Sequence, residues 1–340
     1  MPTTDRSAGS VPSRDEAGRA RLVVILLMLL ALGAGVGLLV RLGAGPLPDP
    51  ERCQAEVDGT TATLSPEQSR NASLIAAIGV RRGLPARAVS IALATAFQES
   101  KLVNIDYGDR DSIGLFQQRP SQGWGTKAQI MDPVYSTNTF YDALVEVEGY
   151  QDMRITEAAQ TVQRSGFPEA YEEHAEGARA LASALTGWSP ARFTCVAPRA
   201  DGPRQPETAS GLTPRAEAVR DDLESVFGDL SLGGFSPGGV DSGHMEGSAH
   251  YDGRAVDVFV RPINAPNKRK GWAIAHYLVA NAARLEIQHV ICDNRLWSSG
   301  RRSEQGWRTY RSPRDDGGDP ARRAILEHRD HVHVDVVEGD

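Results

Sequence analysis

Two stretches of this chain decide its fold: SAHYDGRAVD at Ser248–Asp257 and HRDHVH at His328–His333. From His331 to Val336 polar and apolar residues alternate, so a β-strand there places His331 and His333 on one face of a sheet. In the first stretch Asp257 stands among apolar neighbours, and a buried carboxylate is costly unless it is paired or binds a metal. Histidines and one carboxylate form the ligand set of catalytic zinc sites, which leave one position for water. The sequence therefore predicts a catalytic metal site.

The same two stretches resemble a known family. The pattern Ser-x-His-x-x-Gly-x-Ala-x-Asp followed by His-x-His is similar to that of the zinc peptidases that share a fold with D-alanyl-D-alanine peptidases, lysostaphin-type endopeptidases and the hedgehog signalling domain. The resemblance covers residues 213–340. It implies an α+β domain with a small antiparallel sheet, a Zn²⁺ cofactor held by His250, Asp257 and His333, and a substrate contact from Ser248.

The resemblance leaves the general base of this site open. Some branches of the family place Glu three residues before the last ligand, and here that position is Asp330, whose side chain is shorter. We therefore expect either Asp330 or His331 to be the catalytic residue that takes up the proton of the attacking water. Two further histidines, His244 and His328, are interpreted as substrate contacts or structural residues and not as ligands.

A second candidate site lies in the preceding, helical part of the chain. Apolar residues recur at three- and four-residue spacing from Val89 to Phe97, which predicts a helix with one apolar face that ends near Glu99. A carboxyl group at the end of such a helix is partly desolvated, so its pKa rises and it stays protonated near neutral pH. A protonated carboxyl group is what a general acid for a glycosidic oxygen requires.

The residues around this acid also resemble a known group of enzymes. Glu99-Ser100 followed by Gly114-Leu115-Phe116-Gln117 is similar to the soluble lytic transglycosylases and goose-type lysozymes, which have the helical lysozyme-like fold. The resemblance covers residues 61–190 and implies an all-α domain. It makes Glu99 the catalytic acid and base, and it places Gln117 and Ser100 at the bound sugar.

This chain departs from that group in two places. Phe116 stands where the group commonly has Met, and the usual downstream Ala-Tyr-Asn-Ala-Gly is replaced by residues 158–167, which contain no tyrosine; Tyr171 follows later. Hydrolysis would require a second carboxylate that activates water or acts as the nucleophile. The candidates on the loop between the two motifs are Asp106, Asp109 and Asp111. If none reaches the site, a lone Glu fits the transglycosylase reaction, in which the sugar's own hydroxyl closes an anhydro ring.

The N-terminal region contains a candidate membrane anchor. Leu22–Val40 has no charged residue and no proline, and its length matches the hydrocarbon thickness of a bilayer. Arginines precede it, so the tail should stay cytoplasmic and the remainder should lie outside the cell membrane. A cleaved signal peptide is the alternative, but such peptides have a shorter apolar core. The three cysteines suit an oxidising exterior. Cys53 and Cys195 flank the helical part and could bridge its ends, whereas Cys292 is expected to be a buried thiol.

These features predict a multidomain chain with an N-terminal transmembrane helix, an all-α lysozyme-like domain and an α+β zinc-peptidase-like domain. The expected segments are a cytoplasmic tail at 1–21, the anchor at 22–42, a tether at 43–60, the lysozyme-like domain at 61–190, a linker at 191–212 and the zinc domain at 213–340.

The predicted function is that of a membrane-anchored, bifunctional peptidoglycan hydrolase, whose helical domain cuts the glycan strand and whose zinc domain cuts a wall peptide. The net charge of −7 argues against a nucleic-acid partner, because a nucleic-acid-binding protein needs a stripe of basic residues on its surface. A catalytically silent peptidoglycan-binding scaffold with a hedgehog-like zinc site is the main alternative. A purely structural zinc ranks last, because structural sites are usually four-ligand and rich in cysteine.

Overall fold

The computed structural model describes Leu26, Met28, residues 51–312 and residues 317–340. Apart from Leu26 and Met28, the predicted tail and anchor lie outside these residues. Within the described residues, no helix combines the length and the apolar character needed to cross a membrane.

Several α-helices begin at a residue whose side chain caps the helix. Ser65 accepts a hydrogen bond from the Gln68 backbone N–H at 3.3 Å, and the Gln68 side chain accepts one from the Ser65 N–H at 2.9 Å, which caps the first helix. The helices are α1 (Pro66–Arg81), α2 (Ala86–Ser100), α3 (Lys127–Ile130), α4 (Pro133–Val145), α5 (Ile155–Gln163), α6 (Ala175–Leu185), α7 (Pro214–Phe227), α8 (Ala265–Ala280) and α9 (Pro320–Leu326).

The helical half also contains a three-stranded antiparallel sheet that the sequence did not predict. Its strands are β1 (Arg52–Val57), β2 (Thr60–Leu64) and β3 (Phe193–Val196), in the order β2-β1-β3. β1 and β3 fall in the segments expected to be tether and linker. These two strands stand at opposite ends of the helical half in the sequence, and they pair with each other in the sheet. Cys53 lies opposite Cys195, and a disulfide joins these two cysteines. Such a long-range pairing leaves little trace in a local sequence pattern.

The C-terminal half is built on a six-stranded antiparallel sheet. The strand order is β4-β5-β9-β6-β7-β8. The strands are β4 (Ser231–Gly233), β5 (Ala255–Phe259), β6 (Ile287–Cys292), β7 (Arg295–Ser298), β8 (Arg308–Thr309) and β9 (His331–Val336). β5 and β9, which carry the two motifs, are adjacent in this order.

Helix α8 covers one face of the six-stranded sheet and also contacts the helical half. Valines at alternate positions of β5 and β9 are buried on the covered face, which leaves the polar side chains of these strands on the other face. At the junction of the two halves, His276 on α8 donates a hydrogen bond from Nδ1 to the Ala184 carbonyl at 2.7 Å. Trp297 and Trp307 donate indole hydrogen bonds to the carbonyls of Cys195 and Phe193 in β3. The two halves are therefore packed together within one compact unit, residues 50–340.

Candidate metal centre and candidate acid site

The pairing of β5 with β9 brings the residues of the two motifs together. Asp257 is directly opposite His333, and Phe259 is directly opposite His331. Side chains that are paired across antiparallel strands lie on the same face. The register therefore places Asp257, His331 and His333 on the face that α8 does not cover.

Three atoms of the predicted ligands converge on one point. His250 Nε2 lies 3.0 Å from His333 Nδ1 and 3.2 Å from Asp257 Oδ1, and His333 Nδ1 lies 3.1 Å from Asp257 Oδ1. All three side chains are buried. In a tetrahedral zinc site with bonds of about 2.0–2.1 Å, neighbouring ligand atoms are about 3.3 Å apart. The spacing of the three atoms is close to that value.

His250 is oriented by a short helical turn and by a glycine. It lies in the 3₁₀ helix Ala249–Asp252, which ends at Gly253 in the left-handed region. Its Nδ1 donates a hydrogen bond to the Gly234 carbonyl at 2.7 Å, which directs Nε2 at Asp257. Gly234 has a φ of 80°, and a Cβ there would lie 2.3 Å from the His250 ring, so only glycine fits beside this histidine.

His333 is held by a carboxylate that the sequence analysis did not single out. Asp335 Oδ2 accepts a hydrogen bond from His333 Nε2 at 3.2 Å, and His289 Nδ1 donates to Asp335 at 3.1 Å. Burial acts to lower the pKa of His333, but the hydrogen bonds and charges of Asp257 and Asp335 outweigh it and raise the pKa to about 10. The alternation of HVHVDV was a usable signal, because it places Asp335 on the same face as His333.

Asp330 and His331 form a hydrogen-bonded pair beside the ligand cluster. His331 Nδ1 donates to Asp330 Oδ1 at 2.7 Å, and the second oxygen, Oδ2, accepts from Arg261 Nε at 2.8 Å. Burial would raise the pKa of Asp330, but the hydrogen bonds from His331 and Arg261 outweigh it and hold the pKa below its usual range. The His331 Nε2 atom lies 3.8 Å from Asp257 Oδ1. His331 therefore faces the cluster, with Asp330 behind it.

His244 also belongs to the cluster, in contrast to its sequence-based interpretation. The metal-ligating atoms of His244, His250 and Asp257 all lie within 4.8 Å of one another, so these residues form a group that could hold a metal ion. The set that includes His333 has separations of 3.0–3.2 Å, close to the value for a tetrahedral zinc, which makes it the better-defined ligand geometry. His328 packs against His331, with ring centroids 4.6 Å apart.

The cluster lies in an open cavity of about 660 Å³. Ser248 and His328 are part of its lining, as are the basic side chains of Arg199 and Arg261. Arg199 follows β3 of the helical half, so both halves of the compact unit contribute to the wall of this cavity. No motif in the sequence indicated Arg199, because its proximity to the cluster arises only from the packing of the two halves.

A hydrogen bond from Ser100 connects the two motifs of the helical half, Glu99-Ser100 and Gly114–Gln117. The Ser100 hydroxyl is buried and donates a hydrogen bond to the Leu115 carbonyl at 2.8 Å, which ties the end of α2 to the Gly114–Gln117 segment. Gln117 is half-buried beside it, and its side-chain amide donates to the carbonyls of Tyr107 and Gly114 at 3.3 Å. Ser100 thus fixes the backbone next to the acid.

Glu99 is partly buried and is held by a tyrosine. The Tyr171 hydroxyl donates a hydrogen bond to Glu99 Oε1 at 2.7 Å. Burial raises the pKa of Glu99, although hydrogen bonds from Tyr171 and Gln163 act in the opposite direction. Gln163 also donates to the Phe116 carbonyl at 2.7 Å. Tyr171, which follows the tyrosine-free stretch 158–167, is therefore brought to the acid by the fold.

The three loop aspartates differ in their surroundings. Asp111 has both oxygens engaged, one by Arg119 Nε at 2.7 Å and the other by the Ser121 backbone N–H at 2.9 Å, and these hydrogen bonds hold its pKa well below the usual range. Asp106 and Asp109 are exposed. Asp111 is thus committed to positioning the loop around residues 119–121.

A comparison with protein families gives one match within this region. The family model described as "VldE, C-terminal domain" matches residues 208–323, which is about a third of the chain. The match includes Ser248–Asp257 and strands β5 to β8, and it ends before His328–His333. The chain is similar to this family over those residues. A search of curated proteins found no match.

Proposed function

We propose that this chain is a peptidoglycan hydrolase with two sites, a zinc-dependent peptidase centred on His250, Asp257 and His333 and a glycan-cleaving site centred on Glu99. The proposal includes the membrane anchor at residues 22–42 and an orientation toward the cell wall. The observation that carries it is the convergence of His250 Nε2, Asp257 Oδ1 and His333 Nδ1 at mutual distances of 3.0–3.2 Å.

The donor set fits a zinc ion. His250 and His333 donate from their outer ring nitrogens to Gly234 and Asp335, and these hydrogen bonds orient His250 Nε2 and His333 Nδ1 toward the centre of the cluster. The two carboxylates that raise the pKa of His333 favour positive charge at this point, and a cation satisfies the same requirement. A bound zinc ion would polarise a peptide carbonyl and lower the pKa of a coordinated water.

His331 is the better candidate for the general base. Its Nδ1 donates to Asp330, so its Nε2 has a free lone pair directed toward the ligand cluster. Asp330 has one oxygen on His331 and the other on Arg261, so both oxygens are engaged in positioning and lie behind His331 as seen from the cluster. In this proposal His331 takes up the proton, and Asp330 fixes its tautomer and stabilises the cation that forms.

Glu99 would act in the helical half as acid and then as base. Its raised pKa keeps the carboxyl group protonated at a higher pH than an exposed glutamate, and the Tyr171 hydrogen bond to Oε1 fixes the orientation of the carboxyl group. The engagement of Asp111 with Arg119 and Ser121 removes one candidate for a second carboxylate. This favours the transglycosylase reaction over hydrolysis.

The test is mass spectrometry of the fragments that the full chain releases from purified peptidoglycan, with and without a zinc chelator. We expect anhydro-muramic ends that survive the chelator and are lost in Glu99→Gln. We also expect peptide cuts that are lost with the chelator and in His250→Ala.

The two variants control for each other, because each should abolish one class of fragment and preserve the other. Binding of the wild-type chain to peptidoglycan without release of either class of fragment would overturn the proposal in favour of the silent scaffold.

A further inference from the structure

We propose that His244 is an exchangeable fourth metal ligand, carried on a glycine-hinged loop, which closes the metal centre until a substrate displaces it. The inference rests on the proposed zinc site and goes beyond it, because it assigns to this chain a closed state as well as an open one.

The first support is the position of the His244 ring. It stacks on the His250 ring, with centroids 3.9 Å apart and planes inclined by 21°. The ligating atoms of His244, His250 and Asp257 lie within 4.8 Å of one another. Neighbouring ligands of a tetrahedral zinc are about 3.3 Å apart, so the separation of His244 from His250 and Asp257 exceeds that value by at most about 1.5 Å.

The second support is the way in which the His244 backbone is held. The Tyr251 hydroxyl accepts a hydrogen bond from the His244 N–H at 3.0 Å and donates one to the His244 carbonyl at 2.7 Å. Tyr251 directly follows the ligand His250. Both backbone polar groups of His244 are thus fastened to the 3₁₀ helix that positions His250, which keeps the imidazole next to the ligands.

The third support is that the loop can move at both ends. Gly243 has a φ of 91° and Gly247 a φ of 71°, and a Cβ at either position would have no atom within 4 Å. Glycines in open surroundings allow backbone rotation at little cost. The loop can therefore make the small movement that ligation requires, and it can also withdraw His244 from the cavity.

The chemical consequence concerns the fourth coordination position. Catalytic zinc sites keep that position for water or substrate, whereas four protein ligands make a closed, structural type of site. Ligation by His244 would occupy the position, and a substrate carbonyl or water would take it when His244 leaves. No covalent bond of the protein changes in this exchange.

The experiment uses the full chain loaded with Zn²⁺ or with Co²⁺. Zinc affinity is measured by competition with a chromophoric chelator, and access to the fourth position is measured by titrating azide into the Co²⁺ protein and following the visible absorption. The first variant is His244→Ala. The second is Tyr251→Phe, in which only the hydroxyl that holds the loop is removed. His174→Ala, a histidine of the helical half that bonds to Gln98, is the matched control.

For His244→Ala we expect zinc affinity to fall by about tenfold and azide to saturate at about tenfold lower concentration, because loss of a supporting histidine typically costs that much. Tyr251→Phe should shift azide saturation in the same direction, and His174→Ala should change neither quantity.

The outcomes separate this inference from the proposed function. Equal zinc affinity and equal azide saturation in wild type and His244→Ala would overturn the role of His244 while leaving the zinc site intact. A wild-type chain that binds neither metal would overturn the zinc site itself. If circular dichroism shows that His244→Ala does not fold, the azide titration of Tyr251→Phe tests the proposal instead. Azide saturation of Tyr251→Phe at the same concentration as wild type would then contradict the proposal.

Discussion

Asp257 and His333 are directly opposite each other on strands β5 and β9, and Asp257 Oδ1 lies 3.1 Å from His333 Nδ1. This pair links the two sequence motifs through a sheet register. A slip of one residue would turn either side chain to the face packed against α8, so the register itself is what creates the candidate metal centre. The predictions below concern the residues that support this pair and the acid of the helical half.

Gly234 should be required for metal binding because of its contact with His250. In Gly234→Ala the new Cβ would lie 2.3 Å from the His250 ring, and the ring would have to move away from the ligand cluster. We expect zinc affinity to fall by about tenfold or more, since misplacing one ligand weakens the whole set. Chelator competition measures this.

The matched control for this change is Gly238→Ala. Gly238 has a similar φ of 85°, but a Cβ there would meet no atom within 4 Å. The backbone strain is therefore the same, and the contact with His250 is absent. Equal losses of zinc affinity in both variants would show that loop strain, and not the contact, is responsible.

Asp330→Asn should reduce peptide cleavage without removing the metal. The amide cannot fix the tautomer of His331 as a carboxylate does, so we expect kcat to fall by about 100-fold or more. Zinc content, measured by atomic emission, should stay unchanged because Asp330 is not among the three converging ligands. Arg261→Ala should have a smaller effect of the same kind, since Arg261 acts through Asp330 Oδ2.

His331→Ala distinguishes the two candidates for the general base. If it retains most of the activity while Asp330→Asn loses it, Asp330 is the base and the assignment given above is wrong.

Glu99→Gln should stabilise the protein in a pH-dependent way. Because burial raises the pKa of Glu99, the folded state holds this proton more tightly than the unfolded state does. The stability contributed by protonated Glu99 is complete below the ordinary pKa of glutamate, about 4.3, and is lost as the pH rises through the raised value. The glutamine side chain of the variant does not titrate, and its carbonyl can still accept the hydrogen bond from Tyr171.

The measurement is the melting temperature of both proteins between about pH 4 and pH 8, by calorimetry. The advantage of Glu99→Gln should grow with pH across the window between the ordinary and the raised pKa. A difference that stays constant with pH would mean that folding leaves the pKa of Glu99 unchanged.

Loss of the disulfide should destabilise the helical half and its junction with the sheet half. Cys53 and Cys195 are separated by 142 residues, and opening so long a loop increases the entropy of the unfolded chain. We expect Cys53→Ser with Cys195→Ser to cost about 2–5 kcal/mol in the free energy of unfolding. Denaturant unfolding measures the loss.

Dithiothreitol provides the control for this prediction. It should lower the stability of the wild type to that of the double variant and should leave the double variant unchanged. A reductant effect of equal size on both proteins would point to another cause.

The sequence predicted the parts of the site that depend on local pattern. Alternation in HVHVDV placed His331 and His333 on one face, and the apolar spacing before Glu99 ended a helix at a desolvated acid. Asp335 was detectable by the same alternation but was not singled out. Arg261, His289 and Tyr171 were not detectable in this way, because their contacts join segments that are distant in the chain.

The sequence by itself determined which residues are candidates for the two sites and the periodicity of the elements that present them, because side-chain direction along a strand or helix is a local property. The tertiary structure alone decided the pairing of β5 with β9, the choice of His331 over Asp330 as the residue that faces the cluster, and the nearness of His244 to it. It also placed strands β1 and β3 within the segments expected to be tether and linker. These features depend on register and on packing between distant segments, which no short stretch of sequence encodes.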